Sequence, residues 1–392
     1  MIRDAFRRAR AEASWQQWAL LAVGLACAIA VRFSLGPLST GDYTHFMKGW
    51  IEVLREQGFA AFGTSFANYN PPFLYLLYLF GLLPIGGLAV VKVIAALFDF
   101  ALAAGVAAIA YRLRGSMIVA AFAGVGALFI PEVLINSGMW GQVDATYTAF
   151  LVWSVYFVLA RRDIPAWVLF ALALSFKLQA IFLLPWLAVA FVLQKQRWRA
   201  VAIGVAVFLL TYVPALLAGR SPGSLAGIYV EQAQGYKHLT DRAANLYQWI
   251  PDSLYKPVAA AGVILAVGII AMLCALYLHR ARGVDRPEVW LVQIAAAFAV
   301  LVPFVLPAIH ERYFYAGGVL AIVCLLIDRR YLIPAIALQL TAVLSYAPFL
   351  FRTTIVPLPY VAVLQLAAVV AVVVLSLSHP REDAQPLFAR RD

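Results

Sequence analysis

His310, Glu311, Arg312 and Tyr313 stand in a row between two apolar stretches, residues 295–306 and 316–327. Charge at a membrane boundary is costly unless it faces water, a partner or a ligand, so such a row marks a candidate functional site. An imidazole, a carboxylate and a guanidinium together can move protons and bind an anionic oxygen. Asp42, Asp144 and Lys177 are further ionisable candidates. Tyr43, Tyr69, Asn70, Asn136, Gln142, Gln179 and Asn245 are polar candidates beside them.

These residues are far apart in the chain, so their use depends on the elements that position them. The sequence has 392 residues, is 64% hydrophobic and 12% charged, about half the charge fraction of an ordinary soluble domain. Many runs approach the roughly 20 apolar residues that cross a bilayer, which predicts one all-α polytopic membrane domain over residues 1–392. Cys27, Cys274 and Cys324 lie in apolar runs and read as packing residues. His45, His238, His279 and His379 lack metal-ligand spacing, and no HExxH or CxxC occurs. The net charge of +11 is dispersed in short clusters between spans, a topological pattern and not a nucleic-acid surface.

The basic clusters are Arg3, Arg7, Arg8 and Arg10; Arg112 and Arg114; Arg161 and Arg162; Lys195, Arg197 and Arg199; Arg280, Arg282 and Arg286; Arg329 and Arg330; and Arg381, Arg390 and Arg391. Putting them all in the cytoplasm places both termini inside, with residues 1–14 a basic cytoplasmic N-terminus and 379–392 a cytoplasmic tail. The first apolar run has no small-residue cleavage site after it and reads as a retained span. About twelve spans follow, near 15–35, 88–110, 117–132, 143–160, 164–176, 178–193, 200–218, 257–278, 288–307, 313–327, 331–350 and 359–378. The outer loops are then 36–87, a short one at 136–144, 220–256, the turn at 310–312, and 352–359. The 220–256 loop is too long for a plain connector.

Within the first loop, residues 71–83 are too short to span and read as re-entrant or interfacial. Residues 43–57 form an amphipathic helix with Phe46, Trp50, Val53 and Leu54 on one face, expected in the membrane interface. The segment 164–193 has basic flanks, so it goes out and returns with Lys177 at the bend, facing a water-filled cavity. All the candidate site residues thereby reach the outer boundary. Simpler roles compete: Asp42 and Asp144 could cap the helices after them, Lys177 could snorkel, and His310 and Arg312 could pair with Glu311 or headgroups. Asp99 is mid-span, with Lys92 seven residues earlier on the same face as its expected partner.

Five stretches, in order, resemble a known group. They are Gly41-Asp42-Tyr43, Asn136 through Trp140-Gly141-Gln142-Val143-Asp144, Phe176-Lys177-Leu178-Gln179, Ala244-Asn245-Leu246-Tyr247, and Pro307 through His310-Glu311-Arg312-Tyr313. The chain is similar over residues 15–330 to the GT-C membrane glycosyltransferases, in particular to bacterial relatives of the mannosyltransferase that adds the second mannose to GPI anchors. The resemblance implies a polyprenyl-phosphate-linked sugar donor, a lipid- or glycan-linked acceptor, reaction on the periplasmic or outer face of a bacterial inner membrane, and inversion at the anomeric carbon. It assigns the catalytic base to Asp42 and a hexose, mannose first, to the donor. The chain lacks the DxD pair of metal-dependent members, so metal-independent transfer is expected, with no cofactor. Transfer from a lipid phosphate also needs positive charge on the leaving group, which Arg312, Lys177 or His310 can supply. A secondary transporter or lipid flippase is the alternative; its signs, duplicated halves and polar groups at the bilayer midplane, are not seen. A non-catalytic partner in an assembly complex is a third reading and predicts no cavity joining these residues.

Overall fold

The structure, a computed structural model, describes residues 14–234, 237–281 and 287–378. The basic N-terminus, the C-terminal tail and the bases Arg282 and Arg286 lie outside the described residues. Long apolar helices dominate. Seven are long and apolar enough to cross a membrane: Trp15–Leu35, Gly87–Arg114, Trp198–Leu217, Asp252–Arg280, Pro287–Val305, Arg329–Leu350 and Leu358–Leu377. Met117–Ala127 and Pro131–Trp140, bent by 46°, make an eighth if they act as one span. Every expected span coincides with a helix. However, Asp144–Leu159, Asp163–Phe176, Leu178–Gln194 and Tyr315–Leu325 are shorter, so length and composition vouch for seven or eight, against the twelve expected from charge.

The helices pack around Pro287–Val305, which is buried along most of its length. Close approach depends on small residues there: a Cβ on Gly317 would meet Ala299 O at 2.8 Å. Most of the basic clusters gather at one end of the bundle. Arg197 pairs with Asp163, Arg112 with Glu288, and Arg280 donates to Leu377 O. Asp42, Asn136, Gln142, Asp144, Lys177 and Arg312 come together elsewhere, where loops and broken helices meet.

The first loop differs from its expected place. Residues 43–57 form a π-helical turn, Tyr43–Met47, and the helix Lys48–Gln57. Its buried face is Met47, Trp50, Ile51 and Leu54, packed with Phe73, Leu74 and Leu77 of Pro71–Gly81 and with Val90, Val91 and Ile94. The apolar stripe is thus spent on a second protein core rather than on lipid, and Phe46 remains exposed. The expected Asp99–Lys92 pair does not form. Arg32, from the first helix, donates to Asp99 through Nε at 2.8 Å, and Ser137 Oγ donates at 2.7 Å. Lys92 instead donates to Gly138 O and Met139 O, both at 2.7 Å. A buried carboxylate takes the strongest cation that the fold brings to it, and here that cation comes from another helix.

Candidate functional site

Asp42 follows the first helix in helical backbone, and its side chain caps nothing. Its Oδ2 accepts from Trp140 Nε1 at 2.9 Å and from Gln142 Nε2. Both donors come from one sharp turn. The π-helical stretch Leu134–Trp140 ends at Gly141, whose φ of +76° lies in the left-handed region that glycine tolerates. Lys92 holds the carbonyls just before that turn, and Thr40 Oγ1 donates to Trp140 O at 3.1 Å. Half-buried Asp42 lines a cavity of about 660 Å³ together with Thr44, His45, Arg242, Phe349 and Arg352.

Behind it lies a charge nest. Asp144 is fully buried as the first residue of Asp144–Leu159, and it is no cap either. Lys177 donates to its Oδ1, Asn136 Nδ2 donates to its Oδ2 at 2.9 Å, and Arg312 Nε lies 3.9 Å from Oδ2. Lys177 does sit at the break between Asp163–Phe176 and Leu178–Leu183, in extended backbone, but it faces a carboxylate rather than open water. Arg312 donates to Glu311 Oε1 at 3.0 Å and lies over the Trp140 ring at 5.5 Å. Burial pushes the Glu311 carboxyl up, against Arg312 and His310, which pull it down.

The long loop closes onto this nest. Thr240–Asp241 pairs in parallel with Ile309–His310, and His310 Nδ1 lies 3.1 Å from Asp241 Oδ2. The His310 hydrogen bond holds the Asp241 carboxyl below the usual carboxylate range. Asp241, His310 and Glu311 each offer one ligand atom within 4.8 Å of the others, the arrangement among the described residues that could hold a metal ion. Each carboxylate in it already has a guanidinium partner, Arg242 for Asp241 and Arg312 for Glu311.

The sequence candidates therefore separate into two groups. Asp42 and Gln142 meet at the cavity, while Asp144, Asn136, Lys177, Glu311 and Arg312 meet behind it, with His310 alongside. Gln179 is buried, with Oε1 unpaired among the described residues. Tyr43 turns away, its hydroxyl lying against Gly87 and Leu88. Tyr69 packs between Trp50 and Phe73, at ring distances of 5.6 and 5.1 Å, and Asn70 is buried ahead of Pro71–Gly81. Asn245 does structural work: it accepts from Tyr247 N at 3.1 Å and donates to Leu306 O at 3.2 Å. Sequence reasoning missed Asp241, Arg242 and Arg352 altogether, and Trp140 as an individual residue. The unusual length of the 220–256 loop was the one signal pointing to the first two.

Residues 66–307, more than half of the chain, match the family described as glycosyltransferase family 87. Among solved structures, the chain is similar to ArnT from Cupriavidus metallidurans bound to undecaprenyl phosphate. Identity is 18%, with 94% of this chain and 78% of that one covered and a TM-score of 0.46. It is similar to the apo state of the same protein at 19% identity, with 92% and 77% covered and a TM-score of 0.44. No curated protein matches it.

Proposed function

The chain belongs to glycosyltransferase family 87, and from that premise we propose that it transfers a hexose from a polyprenyl-phosphate-linked donor to a hydroxyl of a lipid- or glycan-linked acceptor. Mannose is the first candidate sugar. The observation that carries this reading is Asp42: a carboxylate open to a cavity of about 660 Å³ and held, among the described residues, by the neutral N–H donors of Trp140 and Gln142. Those two bonds fix the carboxylate and leave Oδ1 unengaged among the described residues.

Asp42 takes the proton of the acceptor hydroxyl as its oxygen attacks the anomeric carbon. The bond from that carbon to the phosphate oxygen breaks, and the phosphate departs with the electron pair as polyprenyl phosphate. Attack from the opposite face inverts the centre, and the protonated Asp42 returns its proton to water. The leaving phosphate gains negative charge, which favours cations aimed at it. Arg312 takes that role in this proposal, held by Glu311 and by the Asp144–Lys177 pair, with His310, Glu311 and Gln179 around the sugar. The polyprenyl tail has a groove to follow, about 540 Å³ in volume, between Trp15–Leu35 and Gly87–Arg114; Ile29, Phe33, Val93 and Phe100 line it. With the basic clusters in the cytoplasm, the cavity opens to the periplasmic or outer face of a bacterial inner membrane. Transfer needs no metal, because the cations around the site are side chains.

The test is incubation of the purified protein with a panel of polyprenyl-phosphate sugars and candidate acceptors. Wild type is expected to transfer one sugar, with an inverted anomeric centre in the product, and Asp42→Asn none. Release of sugar from no donor in the panel would overturn the reading.

A further inference from the structure

Two arginines that this reaction does not use face the Asp42 cavity. Arg242 and Arg352 line it from two different loops, and the one acid in the lining is Asp42. The lining therefore holds two guanidiniums; Asp241, outside it, pairs with Arg242, while Arg352 has no acid partner among the described residues. Both arginines hold left-handed backbone, with φ of +56° and +53°. Side chains disfavour that region, and it persists where the surroundings impose it, most often at functional sites. Arg161 and Lys195, two of the other non-glycine residues with positive φ, end helices near the basic clusters.

The two guanidiniums are held differently. Arg242 is fixed: it donates to Asp241 Oδ1 at 2.9 Å, lies over the Phe349 ring at 5.8 Å, and its backbone bridges to His310. Arg352 is exposed and has no hydrogen-bond or ion-pair partner among the described residues. Such a pair, one arm set and one arm open, suits an anion with several oxygens, because each guanidinium can give two parallel hydrogen bonds to phosphate. Arg312 belongs to a separate place. It lies over Trp140, Trp140 stacks on Phe349 at 4.7 Å, and Arg242 lies over Phe349. Stacked rings separate the two cation sites, so each can serve its own oxygens.

We propose that Arg242 and Arg352 clamp the phosphate of a phospholipid-based acceptor in the Asp42 cavity. The assignment rests on the glycosyltransferase reading, in which Arg312 takes the donor's one phosphate, so a second lipid phosphate in this cavity comes with the acceptor.

The experiment uses the full chain in phosphatidylcholine nanodiscs, titrated with undecaprenyl phosphate and, separately, with phosphatidylglycerol. Arg352→Ala is the clean variant, since the native side chain supports nothing else in the fold. It is expected to weaken phosphatidylglycerol by roughly 10- to 100-fold, the range for hydrogen bonds to a charged group, with undecaprenyl phosphate and the unfolding temperature unchanged. Arg352→Lys keeps the charge, loses the fork and falls between. Loss confined to phosphatidylglycerol supports the clamp; loss confined to undecaprenyl phosphate overturns it, because the donor phosphate would then sit here and not at Arg312. Unchanged affinity for both, or wild type that binds neither, overturns the clamp. Sugar transfer is scored on the same preparations. Transfer by wild type with binding unchanged in Arg352→Ala sinks the clamp alone. Binding lost in Arg352→Ala, with no transfer by wild type from any donor, leaves the clamp standing and sinks the transferase reading.

Discussion

Asp144 is fully buried and accepts from Lys177 and Asn136, with Arg312 3.9 Å away. Asp42 is half-buried, lines an open cavity and accepts from two neutral N–H groups. The two carboxylates belong to one neighbourhood, since Trp140 touches both Asp42 and Arg312. What separates them is the partner. A carboxylate neutralised by a buried ammonium has its charge spent within the fold, and protonating it would strand that ammonium. A carboxylate held by neutral donors keeps its charge for whatever enters the cavity. In the proposed reaction Asp42 therefore takes the part of the base, and Asp144 that of holding other groups still.

The sharpest way to break this contrast is to remove one charge at a time. Asp42→Asn keeps the size and the Trp140 contact but cannot accept the proton. Turnover is expected to fall by about 10²–10⁴-fold, the usual contribution of a general base, with the unfolding temperature unchanged. Activity within a few-fold of wild type would leave Asp42 a structural acceptor. Lys177→Met should do the reverse and act mainly on stability. It removes the nearer cation from a buried carboxylate, at a cost of about 3–5 kcal/mol. The double variant Lys177→Met with Asp144→Leu should recover much of that loss, because no charge is then left unpaired in the interior. A single variant as stable as wild type would mean that Arg312 alone balances Asp144.

This contrast was only partly legible in the sequence. Helix positions were, because runs of apolar residues about 20 long have few other fates in a membrane protein. That Asp42, Gln142, Asp144, Lys177 and Arg312 share a neighbourhood followed from placing loops on one side. Their pairing did not. Asp99 looked committed to Lys92 because spacing along one helix is all a sequence displays, whereas the partner, Arg32, is 67 residues away on another helix. The 43–57 stripe was readable as amphipathic, but amphipathicity does not say whether lipid or a neighbouring helix covers it; Phe73, Leu74 and Leu77 do. Arg242 and Arg352 carry no local signature, since two loops must fold back before they face one cavity.

Arg312 tests whether the nest reaches the substrate at all. Arg312→Ala is expected to weaken binding of a non-hydrolysable polyprenyl-phosphate sugar by about 1.5–3 kcal/mol, and Arg312→Lys to retain part of it. Wild-type affinity in both would confine Arg312 to its contacts with Glu311 and Trp140. Trp140→Phe is a finer probe. It keeps a ring for Phe349 and Arg312 but takes one of two donors from Asp42, a change of roughly 1 kcal/mol. Losing a donor that fixes the carboxylate should lower kcat by about fivefold with KM little changed. An unchanged kcat would separate Trp140 from the base.

The smallest effect is expected from removing divalent cations. A catalytic metal on a phosphate needs oxygen ligands that no other cation has claimed. Asp144 is claimed by Lys177, Glu311 by Arg312, and Asp241 by Arg242 and His310. Asp42 is a lone acid in its cavity, and the charge a metal would bring is already present there as Arg242 and Arg352. Turnover in EDTA should therefore stay within about twofold of the untreated enzyme, a change too small to reflect loss of a Lewis acid worth several kcal/mol. The outcome that would reverse this is loss of turnover restored by Mn²⁺ or Mg²⁺. The ligands would then be sought at Asp241, His310 and Glu311, where three ligand atoms already stand within 4.8 Å of one another. His310→Ala would have to abolish the rescue, and the contrast between the two carboxylates would have to be rebuilt around a metal-bound loop.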